Sequence, residues 1–417
     1  MKTPNDALVG IDVGSHKVLC VIARPTAEKG AYRLEGYGIV PSEGVRKGVV
    51  ADLEAVVTNV REAVREAQAA ADMRATATIR AWAAIGGQDL TSETCVGTTV
   101  LRGKEVTQKD VNAAEATARA NCVRSDRKLI KFCTQGYYCG DAFTTASPIG
   151  LTGDRLEARI HAVYGSVRNA ENMLRCLQRS GLGIAGYEPH PWASAKAVLS
   201  QTDRYCGTVV IDIGAETSSV ALYYENILCY TAERPFGAEF FTRDIATIFG
   251  ITLEEAEEIK TTQGRCLPQK VPYGENVQPG TTARNDRAYP RQLLARTLRD
   301  RAKEFFKLYR NSLQAAGWLD KVHCVVLTGG GASLVDIDDV AQTVFDVPVR
   351  VCGPRALEGG TNLLSLPQAS AAVGLILSAG EKLAAEEDLG YRTRTLPSFF
   401  EHFAKFKALK NIVIGDY

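Results

Sequence analysis

The 417-residue chain has no Cys-x-x-Cys pair, no histidine partners at zinc spacing, and no apolar run near the roughly 20 residues that a spanning helix needs. Its eleven cysteines stand scattered from Cys20 to Cys352, an odd number without framework spacing, which predicts reduced, mostly buried thiols and no metal site among them. A charge excess is missing too. The 49 Lys plus Arg nearly cancel the 48 Asp plus Glu, so no global field points to nucleic acid as a partner, and any basic site is local. The opening Met-Lys-Thr-Pro-Asn-Asp leads into an apolar strand that Asp12 interrupts, which is not the pattern of a secretory signal. What is present, 45% apolar and 23% charged residues, is ordinary globular material for two or more domains.

Residues 8–11, 17–23 and 32–40 read as strands, rich in Val, Ile and Tyr and separated by Gly, Pro and polar residues. Asp52 is a suitable N-cap for a helix in which Leu53, Val56, Val57, Val60, Val64 and Ala67 recur at helical spacing, so one face packs on that sheet. The plan then repeats in 208–213, 218–224 and 227–231. Asp212 follows Asp12 by roughly 200 residues, a spacing of two related halves and not of a solenoid. Between the halves, 84–165 reads as a small α/β insert with a capping-box-like helix start at Thr107-x-x-Asp110. Thr252-x-x-Glu255 starts another helix that Gly264 can end, and 268–290, with four of the 15 prolines, reads as a long exposed loop before a helix over 291–316.

Three motifs carry chemistry. In Gly10-Ile-Asp-Val-Gly14-Ser-His-Lys17 a tight turn of small residues, Gly14, Ser15, His16 and Lys17, lets backbone N–H groups approach a phosphate, while Asp12 at its base can hold Mg²⁺ through water. A plain Gly-Ser hairpin is the alternative for this motif alone. Val210-Ile-Asp-Ile-Gly214-Ala-Glu-Thr217 sets a second carboxylate, Asp212, before a second turn, Gly214, Ala215, Glu216 and Thr217. Two such hairpins facing each other grip a polyphosphate from both sides and share a hydrated metal. Finally, Val326-Leu-Thr-Gly329-Gly330-Gly331-Ala-Ser333 is a strand running into three glycines and then a helix, where a ring or ribose can lie on the backbone; a tight structural turn is the alternative.

In this order and spacing, the three elements resemble the actin, sugar-kinase and heat-shock-chaperone superfamily. That resemblance implies a two-lobed actin-like (ribonuclease-H-like) α/β fold with a small α/β insert in the first lobe. Lobe I then comprises 1–83 and 166–205 around the insert 84–165, lobe II spans 206–380 with an outer subdomain at about 240–320, and 381–417 is a linker with a C-terminal amphipathic helix. Glu188-Pro-x-x-x-Ala-Ser-Ala resembles the first connecting element, which implies that Glu188 joins Asp12 and Asp212 in positioning metal and water. Phe236-Gly237-Ala238 and the Glu257, Lys260 pair resemble the adenosine-contacting segment; a surface i, i+3 ion pair is the alternative for that pair.

Within the superfamily, Gly44-Val-Arg-Lys-Gly48, Ser147-Pro-Ile-Gly-Leu-Thr-Gly-Asp-Arg-Leu-Glu157 and Val349-Arg-Val-x-Gly-Pro354 are similar to the FtsA family of cell-division proteins. The family implies a cytoplasmic adaptor on the inner membrane at the division site that binds ATP, polymerises, binds the tail of the tubulin-like FtsZ, and meets other division proteins. Arg296, Arg299 and Arg301, within the lobe expected to receive that acidic tail, offer cations for it. Two departures stand out: Ala215 and Glu216 replace glycines of the usual second phosphate motif, and His16 replaces a small hydroxyl residue. Glu216 predicts slow or absent ATP hydrolysis, and the Asp212-Ile-Gly-Ala215 reading also resembles the PilM family of cytoplasmic pilus-assembly scaffolds, the alternative assignment. Against PilM stands the C-terminus, where Phe399, Phe403, Phe406, Leu409 and Val413 gather in one helical sector with Lys405, Lys407 and Lys410 around it, the pattern of a helix lying on an anionic membrane surface that Phe400 also meets.

Overall fold

The computed structural model describes residues 7–388 except 29, 75–78, 89, 124–126, 145–146, 279–287 and 356. The expected membrane segment, Phe399 to Val413, therefore lies outside the described residues. In chain order, β1 (Leu8–Val13), β2 (Lys17–Pro25) and β3 (Tyr32–Pro41) form an antiparallel meander. The short strands β4 (Val45–Arg46) and β5 (Val49–Val50) flank a turn whose Lys47 and Gly48 both take positive φ, 49° and 71°. Asp52 caps α1 (Leu53–Ala70) by accepting from the Glu54 and Ala55 N–H groups, and Val56, Val57, Val60 and Ala67 are buried as the periodicity predicts. β6 (Arg80–Ile85) then pairs parallel with β1.

The insert follows as its own antiparallel sheet: β7 (Thr91–Val100), α2 (Gln108–Asn121), β8 (Lys128–Cys139), β9 (Ala142–Thr144) and β10 (Arg155–Gly165), ordered β7-β10-β8-β9. The capping box is formed, the Thr107 N–H donating to Asp110 at 2.9 Å. α3 (Val167–Arg179) and β11 (Gly183–Pro189) complete the first lobe with the sheet β11-β6-β1-β2-β3.

After α4 (His190–Val198) and α5 (Gln201–Cys206), the plan repeats. β12 (Thr208–Ile213), β13 (Ser218–Tyr224) and β14 (Ile227–Arg234) form a second meander. An outer layer contains α6 (Glu239–Phe249), α7 (Leu253–Gln263), the short pair β15 (Asn276–Val277) and β16 (Tyr289–Pro290), and α8 (Arg291–Ala315). Thr252 caps α7 and Gly264 ends it, as the sequence predicts. The segment expected as an exposed loop before α8 instead holds a 3-10 turn at Pro268–Lys270 and buries Val271 and Val277. The chain closes with β17 (Cys324–Thr328), α9 (Ile337–Phe345), β18 (Val349–Val351) and α10 (Ser370–Asp388). The second sheet, β14-β13-β12-β17-β18, repeats the strand order and directions of the first.

Two helices exchange lobes. α10 lies on the first lobe's sheet, where Ala372, Val373 and Ile376 pack with Leu19, Val21 and Tyr32, although its start falls in the range assigned to lobe II. α4, assigned to lobe I, lies on the second sheet, with Trp192, Ala195 and Val198 against Val210, Ala221 and Val326. The linker expected from Glu381 is helical through Asp388, and Glu381 accepts from Lys196 Nζ at 2.7 Å. Run lengths and charge could not show this, because the charged end of α10 leans on α4. α10 is apolar nearly all round from Ala371 to Ala379 because both its faces are covered. The two helices touch closely enough that a Cβ on Gly374 would fall 1.8 Å from the Ala193 carbonyl oxygen.

The insert docks on β14, the edge of the second lobe's sheet. Ser92 Oγ accepts from the Thr231 N–H at 2.8 Å, and Gln135 Nε2 donates to the Leu228 carbonyl at 2.7 Å. An edge strand left bare invites pairing with another chain, so this contact protects it. At its centre, buried His161 pairs with Thr231 Oγ1 at 2.8 Å, and Trp192 Nε1 donates to the same oxygen at 3.0 Å. Burial holds the His161 pKa down to about 3, from an ordinary 6.5. All eleven cysteines are free, and most are buried, as expected.

Below pH 6.5 the unfolded chain takes a proton on His161 that the native protein refuses. Stability from this group is thus complete above pH 6.5 and falls as pH drops toward 3. Between pH 7 and 5 the loss is about 2 kcal/mol, and chemical denaturation of His161→Gln should show an acid slope smaller by that amount. A second expectation concerns the helix crossing: Gly374→Ala should lower the unfolding free energy by about 2 kcal/mol, since the backbones must part to admit a methyl group.

Candidate functional site

The first strand of each meander ends in an aspartate followed by a tight turn. Asp12 and Asp212 are both buried. In the first turn the Gly14 N–H donates to the Lys17 carbonyl at 3.0 Å, which leaves Ser15 and His16 at its tip. Lys17 Nζ reaches the Gln368 carbonyl at 2.7 Å, just before α10. The second turn is braced from behind by Gly237-Ala238-Glu239: the Ala238 and Glu239 N–H groups donate to the carbonyls of Gly214 and Ala215 at 2.9 and 2.8 Å. Gly237 permits this approach, because a Cβ there would sit 2.4 Å from the Ala215 oxygen.

Register sets Thr328, Asp212, Ser219 and Glu233 side by side across β17, β12, β13 and β14. Paired residues share a face, so this polar row crowns the apolar surface on which α4 packs. Ser194 of α4 donates to Asp212 Oδ2 at 2.5 Å. Gly329, at φ 82°, lies against the same carboxylate; a Cβ there would be 2.2 Å from Asp212 Oδ1. The three-glycine run does not open directly into an α-helix. Gly330–Ser333 is a single 3-10 turn, with Gly331 packed on Ile213, and α9 begins only at Ile337.

His190, the first residue of α4, stands over the row and between the lobes. Its Nδ1 is 3.3 Å from Ser219 Oγ, and its Nε2 is 3.8 Å from Asp12 Oδ1. Burial opposes protonation of this imidazole, but Asp212, Asp12 and Glu233 together outweigh it and raise the pKa. Glu233 is buried with its Oε2 unmatched by any hydrogen-bond donor among the described residues, and burial raises its pKa. Gly86 makes room for it, since a Cβ there would lie 2.9 Å from Oε2.

Sequence reasoning missed His190 and Glu233. Glu233 ends a strand and His190 starts a helix, and neither position has motif spacing of its own. The alternation that puts Asp212 on the α4 face, carried across two strands, is the signal that would have found Glu233.

Glu188 is held by a partner that its expected role does not include. Lys131 of the insert pairs with it at 2.9 Å and also donates to the Tyr187 carbonyl at 2.7 Å. Burial lowers the Lys131 pKa, and Glu188 offsets part of that. Glu216 likewise turns from the phosphate turn toward the other lobe, where Arg46 Nη1 meets it at 3.0 Å. Glu257 and Lys260 do form the i, i+3 ion pair, at 2.6 Å, and Thr242 donates to Glu257 at 2.5 Å. Burial raises the Glu257 pKa, but Lys260 and Thr242, with a contribution from His16 facing it, pull it below the ordinary value. Among the described residues no three His, Cys, Asp or Glu side chains form a metal cage. Two carboxylates from facing strands fit a cation that keeps most of its waters, as Mg²⁺ does.

Comparison with known proteins agrees with this layout. The family model described as Cell division protein FtsA matches residues 209–374, and the one described as SHS2 domain inserted in FTSA matches 87–164. Cell division protein FtsA of Neisseria meningitidis serogroup B is 31% identical over 372 residues, covering 88% of this chain and 89% of that protein. Its counterparts in Pseudomonas aeruginosa and Escherichia coli K12 are each 30% identical over 90% of this chain, covering 89% and 90% of those proteins. Among solved structures, a PilM-PilN type IV pilus biogenesis complex superposes with a TM-score of 0.64 at 17% identity, covering 89% of this chain and 98% of that one. MreB5 of Spiroplasma citri bound to AMPPNP gives 0.52 at 12%, covering 93% and 99%. These two likenesses establish the two-lobed actin-like fold alone. With sequence relatives spanning both lobes and the insert between them, the chain belongs to the FtsA family of cell division proteins.

Proposed function

We propose that the protein is an ATP-binding adaptor that polymerises on the cytoplasmic face of the bacterial inner membrane at the division site and tethers FtsZ to it. The observation that carries the nucleotide part is the facing pair of turns, with Asp12 and Asp212 both acting on one imidazole, His190. ATP lies between the lobes, its phosphates against Gly14 to Lys17 and Gly214 to Thr217, its adenosine near Gly237, Glu257, Lys260 and Gly329 to Ser333. Asp12 and Asp212 hold Mg²⁺ through water. The AMPPNP bound to the MreB5 neighbour, which shares the fold, supports a nucleotide as ligand.

Family membership supports the adaptor role. Filaments arise from heterologous contacts that do not close, with the insert supplying part of one surface. The acidic FtsZ tail docks on the outer layer of lobe II. Arg301 is already bidentate on Asp244, at 2.6 and 2.8 Å, and Arg299 is held by its neighbour Asp300 at 2.9 Å, so the exposed Arg296 is the better placed cation there. The segment from Phe399 to Lys410 anchors the chain on anionic lipid. Co-sedimentation with anionic vesicles, with and without ATP and an FtsZ tail peptide, tests the whole reading. The full chain should pellet and bring the peptide with it, and truncation after Thr395 should leave it in the supernatant. Undiminished pelleting of the truncated chain would refute the anchor.

Hydrolysis is slow in this reading, because Lys131 holds the carboxylate expected to position water, Glu188. ATP with Mg²⁺ should raise the thermal midpoint, while phosphate release from lipid-bound protein stays below about 1 s⁻¹. Faster release would show that the Lys131–Glu188 pair does not restrain the chemistry.

A further inference from the structure

Glu216 stands where the resemblance calls for a glycine, and its side chain is only 10% exposed. Both carboxylate oxygens are engaged by the opposite lobe. Oε1 accepts from Arg46 Nη1 at 3.0 Å, and Oε2 accepts from the backbone N–H of Lys47. Each end of this contact is braced. On lobe I the donors sit on the β4–β5 turn, and Asn169 Nδ2 ties its Gly48 carbonyl, at 2.9 Å, to the Gly86 carbonyl, at 3.0 Å. On lobe II, the Ala238 and Glu239 N–H groups hold the turn that carries Glu216. The lobes cannot part at these turns without breaking both bonds to one poorly hydrated carboxylate.

We propose that Glu216, Arg46 and the Lys47 N–H form an interlobe clasp that positions the second phosphate turn and sets the rate at which nucleotide leaves. The proposal rests on the nucleotide reading above. The two bonds contribute unequally. Arg46 is 76% exposed, so water and salt screen its ion pair, whereas the Lys47 N–H meets a carboxylate with little other solvation. The same orientation carries the negative charge of Glu216 away from the turn that faces the phosphates, which resolves the repulsion this residue would otherwise cause there.

The test is release of a fluorescent ATP analogue, chased with unlabelled ATP, alongside amide hydrogen exchange of Lys47 in the nucleotide-free protein. Glu216→Ala should speed release about tenfold, as loss of a charge-assisted bond does, and Arg46→Ala about twofold or less. Glu216→Gln, which keeps an acceptor but loses the charge, should fall between them, and it serves if the alanine variant does not fold. Lys47 should be protected from exchange in the wild type and unprotected in Glu216→Ala. Release by Glu216→Ala within twofold of wild type, or unchanged Lys47 exchange, overturns the clasp. A wild type that protects Lys47 yet binds no ATP analogue instead overturns the nucleotide reading, and with it the clasp's part in release.

Discussion

Everything in the cleft depends on the crossing of α4 and α10 between the two sheets. Each helix belongs in sequence to one half and packs on the other, so one face of each sheet stays uncovered until both halves are folded. The contact has no room to slide, because Gly374 meets the Ala193 backbone directly. α4 carries two of the site's groups into place from there. His190 lies at its start and Ser194 one turn on, which sets an imidazole over Ser219 and a hydroxyl on Asp212. Packing thus fixes the polar row from beneath, and the phosphate turns inherit their mutual position from that crossing.

Much of this was legible in sequence. Period-two apolar runs with small-residue turns marked both meanders, and Asp52, Thr107 and Thr252 announced their helices because capping is a local interaction. The duplication was visible because both halves need an aspartate before a tight turn. Lobe membership was not. Whether α10 rests on the first or second sheet depends on contacts between residues more than 300 positions apart, such as Leu19 with Val373, and no local pattern encodes that choice.

The site divides along the same line. The stretches from Gly14 to Lys17 and from Gly214 to Thr217 form the tight turns between strands that their motifs predict. Side chains whose roles depend on a partner from another element do not. The resemblance gave Glu188 a part in positioning metal and water, yet Lys131 of the insert pairs with it. Glu216 looked like an intruder among phosphates, yet a turn about 170 residues earlier supplies its donors. Glu233 lies beyond the strand expected over 227–231, and only cross-strand register shows that it extends the row beginning at Thr328.

The placement of α10 also has a mechanical consequence. Whatever follows Asp388 is attached to a helix seated on the first sheet, so a pull on the chain's end loads lobe I first. Ala372, Val373 and Ile376 against one sheet and Gly374 against α4 resist that load. Lobe II is reached at the start of α10, where Ser370 Oγ lies 2.6 Å from Thr328 Oγ1 of β17, and through α4, where Lys196 donates to Glu381. A molecule pulled at this end is therefore gripped at lobe I first, and lobe II follows through the start of α10 and through α4.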